Sequence, residues 1–147
     1  MEDYKIKEEI KKKKKNEWIE AWFAIEALGI NSDAVESALR KHVEKLSNSN
    51  AVFVYERKFS EIKKVEKPMK NVEEGYAQVV ELKLFLRDIY ALINAVLLYG
   101  PSSVEILGPN RKEIKIDEMQ NIANMLAALI HQFASGGAGG IVITPEK

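Results

Sequence analysis

The sequence predicts an α+β fold with a ferredoxin-like order of strands and helices, and three features indicate it. Apolar residues recur at helical spacing in some segments and alternate strictly in others. Turn signatures separate these segments, and from about residue 76 to residue 144 they follow the order β-α-β-β-α-β, the ferredoxin-like arrangement. A chain of 147 residues also has the usual length of one domain. We therefore expect a single domain over residues 1–147.

The first 48 residues are expected to form a helical hairpin that extends this domain. Apolar residues between Trp18 and Ile25 recur at helical spacing, and Gly29 would end the first helix. Asn31 then offers a side-chain oxygen that can cap a second helix. The apolar face of that second helix carries Val35, Leu39, Val43 and Leu46.

The α+β core is expected to cover residues 51–147 and to begin with one extra strand. The segment from Val52 to Tyr55 is rich in β-branched and aromatic residues, which favour strands. The charged connection that follows contains Pro68 and is expected to be an exposed loop or hairpin arm. Strict alternation of apolar residues from Tyr76 to Leu86 then predicts a long strand.

Capping residues and turns indicate where the remaining helices and strands begin and end. Asp88 is expected to cap a helix that stops at Gly100, and Asp117 to cap the last helix. Right-handed crossovers would place both helices on one face of the sheet, so the first helix or a second subunit would have to cover the other face. The remaining strands are expected at residues 104–107, 113–116 and 141–143.

One local segment resembles a known family. Leu84 to Pro109, with Tyr99-Gly100-Pro101 followed by Val104-Glu105-Ile106-Leu107, is similar to the C-terminal extension of WYL-domain transcription regulators. The WYL core and the DNA-binding domain of those regulators have no counterpart in this sequence. The resemblance therefore implies a ferredoxin-like βαβ unit in this segment and no more.

Composition excludes several classes of protein. The sequence has no cysteine, which removes disulfide scaffolds, thiolate nucleophiles and cysteine-based metal sites. It also has no stretch of about 18 apolar residues and no signal-peptide pattern, so we expect a cytoplasmic protein without a membrane partner. The charged residues are mostly Lys and Glu, a bias that resembles hyperthermophile proteins.

The residues that usually carry catalysis are not arranged for it. His42 and His131 lack metal-ligand spacing, and His42 fits a packed histidine at a helix boundary. Glu81 and Lys83 lie mid-strand, where a structural cross-strand ion pair is favoured over a catalytic pair. The glycine-rich run at 136–140 follows a helix instead of preceding one, which favours a flexible cap over a phosphate loop. We expect no catalytic residues, no metal and no cofactor.

The block from Lys11 to Lys15 could contact nucleic acid. Acidic residues surround it, however, and five consecutive residues spread around the whole circumference of a helix. A solvated helix end is therefore favoured over a phosphate-binding stripe.

The last helix has an unusual lack of charge. From Met119 to Pro145 there is no Asp, Glu, Lys or Arg, although the chain is 30% charged. A solvent-facing helix in such a protein should carry Lys and Glu, so this uncharged side is expected to pack on a second subunit or on the helical hairpin, or to line a ligand pocket. Packing is preferred, and a homodimer is the commonest arrangement. The candidate residues are Gln120, Asn121, Asn124, Ala128, His131, Gln132 and Ser135.

These observations give an order of hypotheses and do not establish a function. The first is a non-enzymatic, homo-oligomeric α+β module, with small-ligand binding as an addition. A nucleic-acid-binding protein is the alternative, and it depends on Lys11 to Lys15 and on fold analogy. An enzyme with an unrecognised site is third.

Overall fold

The computed structural model describes residues 2–136, which belong to two compact units, Met1–Lys112 and Glu113–Lys147. Helices and strands alternate irregularly along the first unit, as expected for the α+β class. In chain order the first unit contains α1 (Asp3–Lys15), β1 (Ile19–Gly29), α2 (Ser32–Ser47), β2 (Val52–Phe59), β3 (Lys63–Met69), β4 (Val72–Leu86), α3 (Ile89–Tyr99) and β5 (Ser103–Gly108), and the second contains α4 (Ile116–Gly136).

The strands of the first unit form one antiparallel sheet with the order β2-β4-β1-β5. The 15-residue strand β4 is long enough to pair with β2 along its second half and with β3 along its first half. At the centre of the sheet, Ala21 of β1 lies between Leu84 of β4 and Ile106 of β5. β1 is therefore an inner strand.

One face of this sheet carries the hydrophobic core. Phe23 of β1 and Leu82 and Leu84 of β4 have no exposed surface. Helices α2 and α3 both pack on this face, where Leu39 and Ala95 belong to the same apolar cluster. Removing each large apolar side chain from water contributes about 1.5–3 kcal/mol. Because this core face is packed against two helices, it holds the strands in place, and with them the opposite face of the sheet.

The predicted helical hairpin of residues 1–48 is wrong in its first half. Helix α1 ends at Lys15, and Ile19–Gly29 is a strand. Glu17 has a positive φ of 59°, which turns the chain out of the helix. Residues such as Phe23 and Ile25 fit helical spacing and strand alternation equally well, and the sheet partners on both sides favour the strand. The second helix, α2, is confirmed with its Asn31 cap.

The α+β class is confirmed, but the ferredoxin-like order predicted for residues 76–144 is not. Strand β4, helix α3 and strand β5 occur there as expected. The strand expected at 113–116 is absent from the described residues, because α4 begins at Ile116 and β5 pairs with β1. The strand expected at 141–143 lies outside the described residues.

Candidate functional site

No residue of α4 from Ile116 to Ser135 is buried, but exposure differs around the helix. Ile122, Met125 and Leu129 are half-buried, whereas the apolar residues beside them are exposed. The apolar stripe of α4 is defined here as six residues on one side of the helix, with Ala123 at its centre. The other five are exposed to water by the following fractions: Ile116 81%, Met119 54%, Leu126 40%, Ile130 56% and Phe133 48%.

The spacing within the apolar stripe is that of a coiled-coil seam. From Ile116 to Phe133 the six residues are separated alternately by three and four positions. This repeat of about 3.5 residues keeps a seam facing a partner helix along its length. Ile122 and Leu129 continue the apolar face on one side of the stripe and are half-buried, so the whole apolar face is broader than a seam. The stripe is the exposed part of that face, and its spacing suits a second helix.

The seven uncharged residues predicted as a candidate surface lie together on α4. All of them are exposed, on the side of the helix away from the apolar stripe. Asn124 accepts a hydrogen bond of 3.4 Å from Nε2 of Gln120. Both long sides of α4 are thus available for contact. These residues are Gln120, Asn121, Asn124, Ala128, His131, Gln132 and Ser135.

A polar pair missed by the sequence analysis lies on the second face of the sheet in the first unit. The hydroxyl of Tyr55 on β2 donates a hydrogen bond of 2.6 Å to Oε2 of Glu20 on β1. The two strands flank β4, and the fully buried ring of Phe85 lies between them, 5.3 Å from the Tyr55 ring. Burial, followed by the hydrogen bond and the charge of Glu20, raises the pKa of the Tyr55 phenol well above its usual range. Alternation along residues 19–25 was the signal that could have indicated this pair.

The mid-strand charges form surface pairs. The register places Lys83 beside Glu56 of β2, and their charged atoms are 3.7 Å apart. Glu81 is opposite Lys58 in the same register. Both members of the Lys83 pair are more than a third exposed, so the pair contributes little to stability. The arrangement is that of a cross-strand ion pair between β2 and β4.

The two histidines occupy different environments. Nε2 of His42 on α2 lies 2.8 Å from the carbonyl oxygen of Tyr99, and the two rings meet edge to face at 5.1 Å. His42 thus links α2 to α3. His131 is exposed on α4. Among residues 2–136, no group of three or more acidic or histidine side chains is close enough to hold a metal ion.

The lysine block at the end of α1 is partly neutralised by neighbours. Lys12 and Lys13 each approach a carboxylate oxygen of Glu9 at 3.6 Å, and Lys14 approaches Glu20 at 4.0 Å. The ammonium group of Lys13 also lies 4.1 Å from the centroid of the Trp18 ring. These lysines therefore pair locally instead of forming one basic stripe.

In the described part of the chain, no helix has the length and apolar content needed to cross a membrane.

Comparison with known proteins gives a family. The model of the MJ0538 family matches residues 20–147. The chain belongs to the MJ0538 family. No curated protein and no solved structure matches it.

The MJ0538 family match covers both the Tyr55–Glu20 pair and helix α4. It begins at Glu20, the first residue of the Tyr55–Glu20 pair, and it includes the whole of α4. Helix α1 and the block from Lys11 to Lys15 precede it. The Tyr55–Glu20 pair and helix α4 therefore both lie within the part of the chain that the MJ0538 family model describes.

Proposed function

We propose that this MJ0538 family protein is a non-enzymatic, homo-oligomeric α+β module, and that α4 carries the contact between copies. The observation that supports this most is the exposure of the apolar stripe. Leaving such a stripe in water is unfavourable, because its burial would contribute about 25 cal/mol per Å². Extended apolar surfaces of this kind mark interaction sites.

A second copy of the chain is the occupant that suits this stripe. The seam positions are apolar throughout, so two α4 helices can pack against each other with like surfaces in contact. From Met119 onward α4 has no charged residue, so pairing two copies brings no like charges together. The uncharged side, with Asn124 and His131, then faces away from the contact.

We also propose that residues 19–108 make up the ferredoxin-like module. The order β1-α2-β2-β4-α3-β5 is strand-helix-strand-strand-helix-strand, and β3 is an additional arm on β4. The first and third strands of this order, β1 and β4, are adjacent and central, and the two helices share the core face. This order supports a ferredoxin-like module at residues 19–108 instead of at residues 76–144.

Nucleic-acid binding is the second candidate, and aromatic side chains on the second sheet face favour it. Phe53 and Tyr55 of β2 are partly exposed there, next to the basic end of α1. Two features weigh against it. Phe85 is fully buried and offers no stacking surface, and Glu20 and Glu81 on the same face would repel phosphate.

Self-association is tested by measuring molar mass in solution with multi-angle light scattering. We expect the wild-type protein to be a dimer at micromolar concentration. Ile130→Lys places a charge in the seam and should reduce the mass to that of a monomer, because a buried unpaired charge costs about 3–5 kcal/mol. Asn124→Lys adds the same charge on the other side of α4 and should leave the mass unchanged. A monomeric wild type, or a dimer dissociated only by Asn124→Lys, would contradict the seam as the contact.

A further inference from the structure

A small pocket opens beside the Tyr55–Glu20 pair, on the second face of the sheet. It lies where the end of α1, the start of β1 and the end of β5 meet, and its volume is about 240 Å³. Typical small-molecule sites have about 300–1,000 Å³, so an occupant must be small. The side chains of Lys14, Glu17, Trp18, Glu20 and Phe85 line it, together with Gly108-Pro109.

The Glu20 carboxylate is held in one orientation within this pocket. Its Oε2 accepts the hydrogen bond from Tyr55, and its side chain is only 20% exposed. Its Oε1 has only a loose ion pair, with the Lys14 ammonium 4.0 Å away, and Lys14 is itself 61% exposed. A carboxylate oxygen that is fixed and weakly compensated is ready to accept a stronger donor.

The surroundings of the carboxylate are apolar and aromatic. Trp18, Phe85 and Pro109 form the walls. The Lys13 ammonium already lies 4.1 Å from the Trp18 ring centroid, so this indole is placed where it attracts cations. Two of the charged lining side chains are carboxylates and one is an ammonium group. The combination favours a cation with an apolar body over an anion.

We propose that this pocket binds a small organic ammonium ion, with its cationic nitrogen at Oε1 of Glu20 and its apolar part against Trp18 and Pro109. The ligand displaces the exposed Lys14 ammonium, which returns to water at little cost. Tyr55 acts as a positioning residue, because it holds the carboxylate through Oε2. This binding site is independent of self-association through α4, which uses other residues.

The proposal is tested with three probes that share a phenyl ring: phenethylammonium, the neutral 2-phenylethanol and the anionic phenylacetate. Binding is followed by two-dimensional NMR, with the indole N–H of Trp18 assigned by means of a Trp22→Phe variant. We expect phenethylammonium to bind about tenfold more tightly than 2-phenylethanol, since only its ammonium group can form a charge-assisted hydrogen bond with Oε1 of Glu20. Phenylacetate should bind most weakly.

Two matched variants show which carboxylate causes the preference for the ammonium probe. Glu20→Gln keeps the size of the side chain and an acceptor for Tyr55, and it should abolish the advantage of the ammonium probe. Glu26→Gln removes a carboxylate from the same face of β1 farther along the strand, and it should preserve that advantage. Equal affinities for the three probes in the wild type, no saturable shift at Trp18, or an undiminished advantage in Glu20→Gln would overturn the proposal. The comparison among probes needs no variant, so it holds even if Glu20→Gln fails to fold.

Discussion

The Tyr55 hydroxyl and the Glu20 carboxylate join β2 to β1 across β4 through a hydrogen bond of 2.6 Å. Neither strand pairs with the other, so this contact ties together two strands that the backbone ladder leaves separate. It also covers Phe85, the fully buried residue of β4 on this face. The pair thus contributes both to the sheet and to the orientation of the pocket carboxylate.

Replacing Tyr55 with Phe should lower the free energy of unfolding by about 1–2 kcal/mol, because Glu20 loses a donor in a partly buried position. Urea denaturation measures this value. Tyr4→Phe, which removes a hydroxyl from an exposed side chain of α1, is the matched control and should have no effect. Equal stabilities of the two variants would show that the hydrogen bond contributes nothing.

The same pair predicts a pH dependence. The pKa of Tyr55 is raised in the folded state, so folding favours the neutral phenol. This stabilisation is fully present below the unfolded pKa of about 10 and is lost as the pH rises through the raised folded value. The difference in unfolding free energy between wild type and Tyr55→Phe should therefore shrink above about pH 10. A difference that stays constant from pH 8 to pH 11 would argue against the raised pKa.

His42 is predicted to be a structural residue that links two helices. His42→Ala removes both the contact of Nε2 with the Tyr99 carbonyl and the ring packing, which should cost about 1–2 kcal/mol. Lys41→Ala, at an exposed neighbouring position of α2, is the control. Thermal unfolding followed by circular dichroism compares the two. If His42→Ala melts with the wild type, the link between α2 and α3 is not stabilising.

The lysine block provides the test that separates the two candidate functions. Changing Lys11 to Lys15 together to Gln should barely change binding to RNA at about 0.15 M salt, which we expect to be in the non-specific range of about 10⁻⁴ to 10⁻⁶ M or weaker. The reason is that Lys12, Lys13 and Lys14 already approach carboxylates. Fluorescence anisotropy with labelled RNA measures the affinity. Sub-micromolar binding that the Gln variant abolishes would make nucleic-acid binding the leading function.

The arm formed by β3 and β4 depends on a glycine. A Cβ atom at Gly75 would lie 2.9 Å from the carbonyl oxygen of Gly29 and would press against the ring of Pro68. Gly75→Ala should therefore destabilise the protein by about 1–3 kcal/mol. Gly108→Ala, where a Cβ would meet open space, should be tolerated. Chemical denaturation of both variants gives the comparison, and equal stabilities would mean that the arm adjusts without cost.

The sequence was sufficient for the elements whose local signals agree. Helix α2 has its Asn31 cap, and β4 alternates over most of its length, so both were predicted close to their actual bounds. The segment from Trp18 to Leu28 was assigned to a helix because its apolar residues satisfy both periods. Only pairing with β4 and β5, which are distant in sequence, selects the strand. With Glu20 assigned to a helix, its contact with Tyr55 could not be predicted, and neither could the pocket beside it, because the two side chains meet only when both residues lie on strands.

Helix α4 shows a different limit of sequence reasoning. Its charge-free composition predicts a contact surface on the polar side of this helix, and that prediction stays open. Exposure cannot be read from periodicity, since a stripe that faces a core and a stripe that faces a second chain have similar patterns. The exposed fractions of Met119 and Ile130 are what suggested a second chain as the occupant.

The proposed contact between copies can be tested by cross-linking, because the chain has no native cysteine. Leu126→Cys puts a single thiol near the middle of the apolar stripe, where two paired α4 helices approach each other in either direction. Under mild oxidation this variant should form a disulfide-linked dimer, while Asn124→Cys, on the other side of α4, should remain largely uncross-linked. Non-reducing mass analysis of both variants gives the result. Absence of a Leu126→Cys dimer, or equal cross-linking of the two variants, would contradict self-association through the stripe.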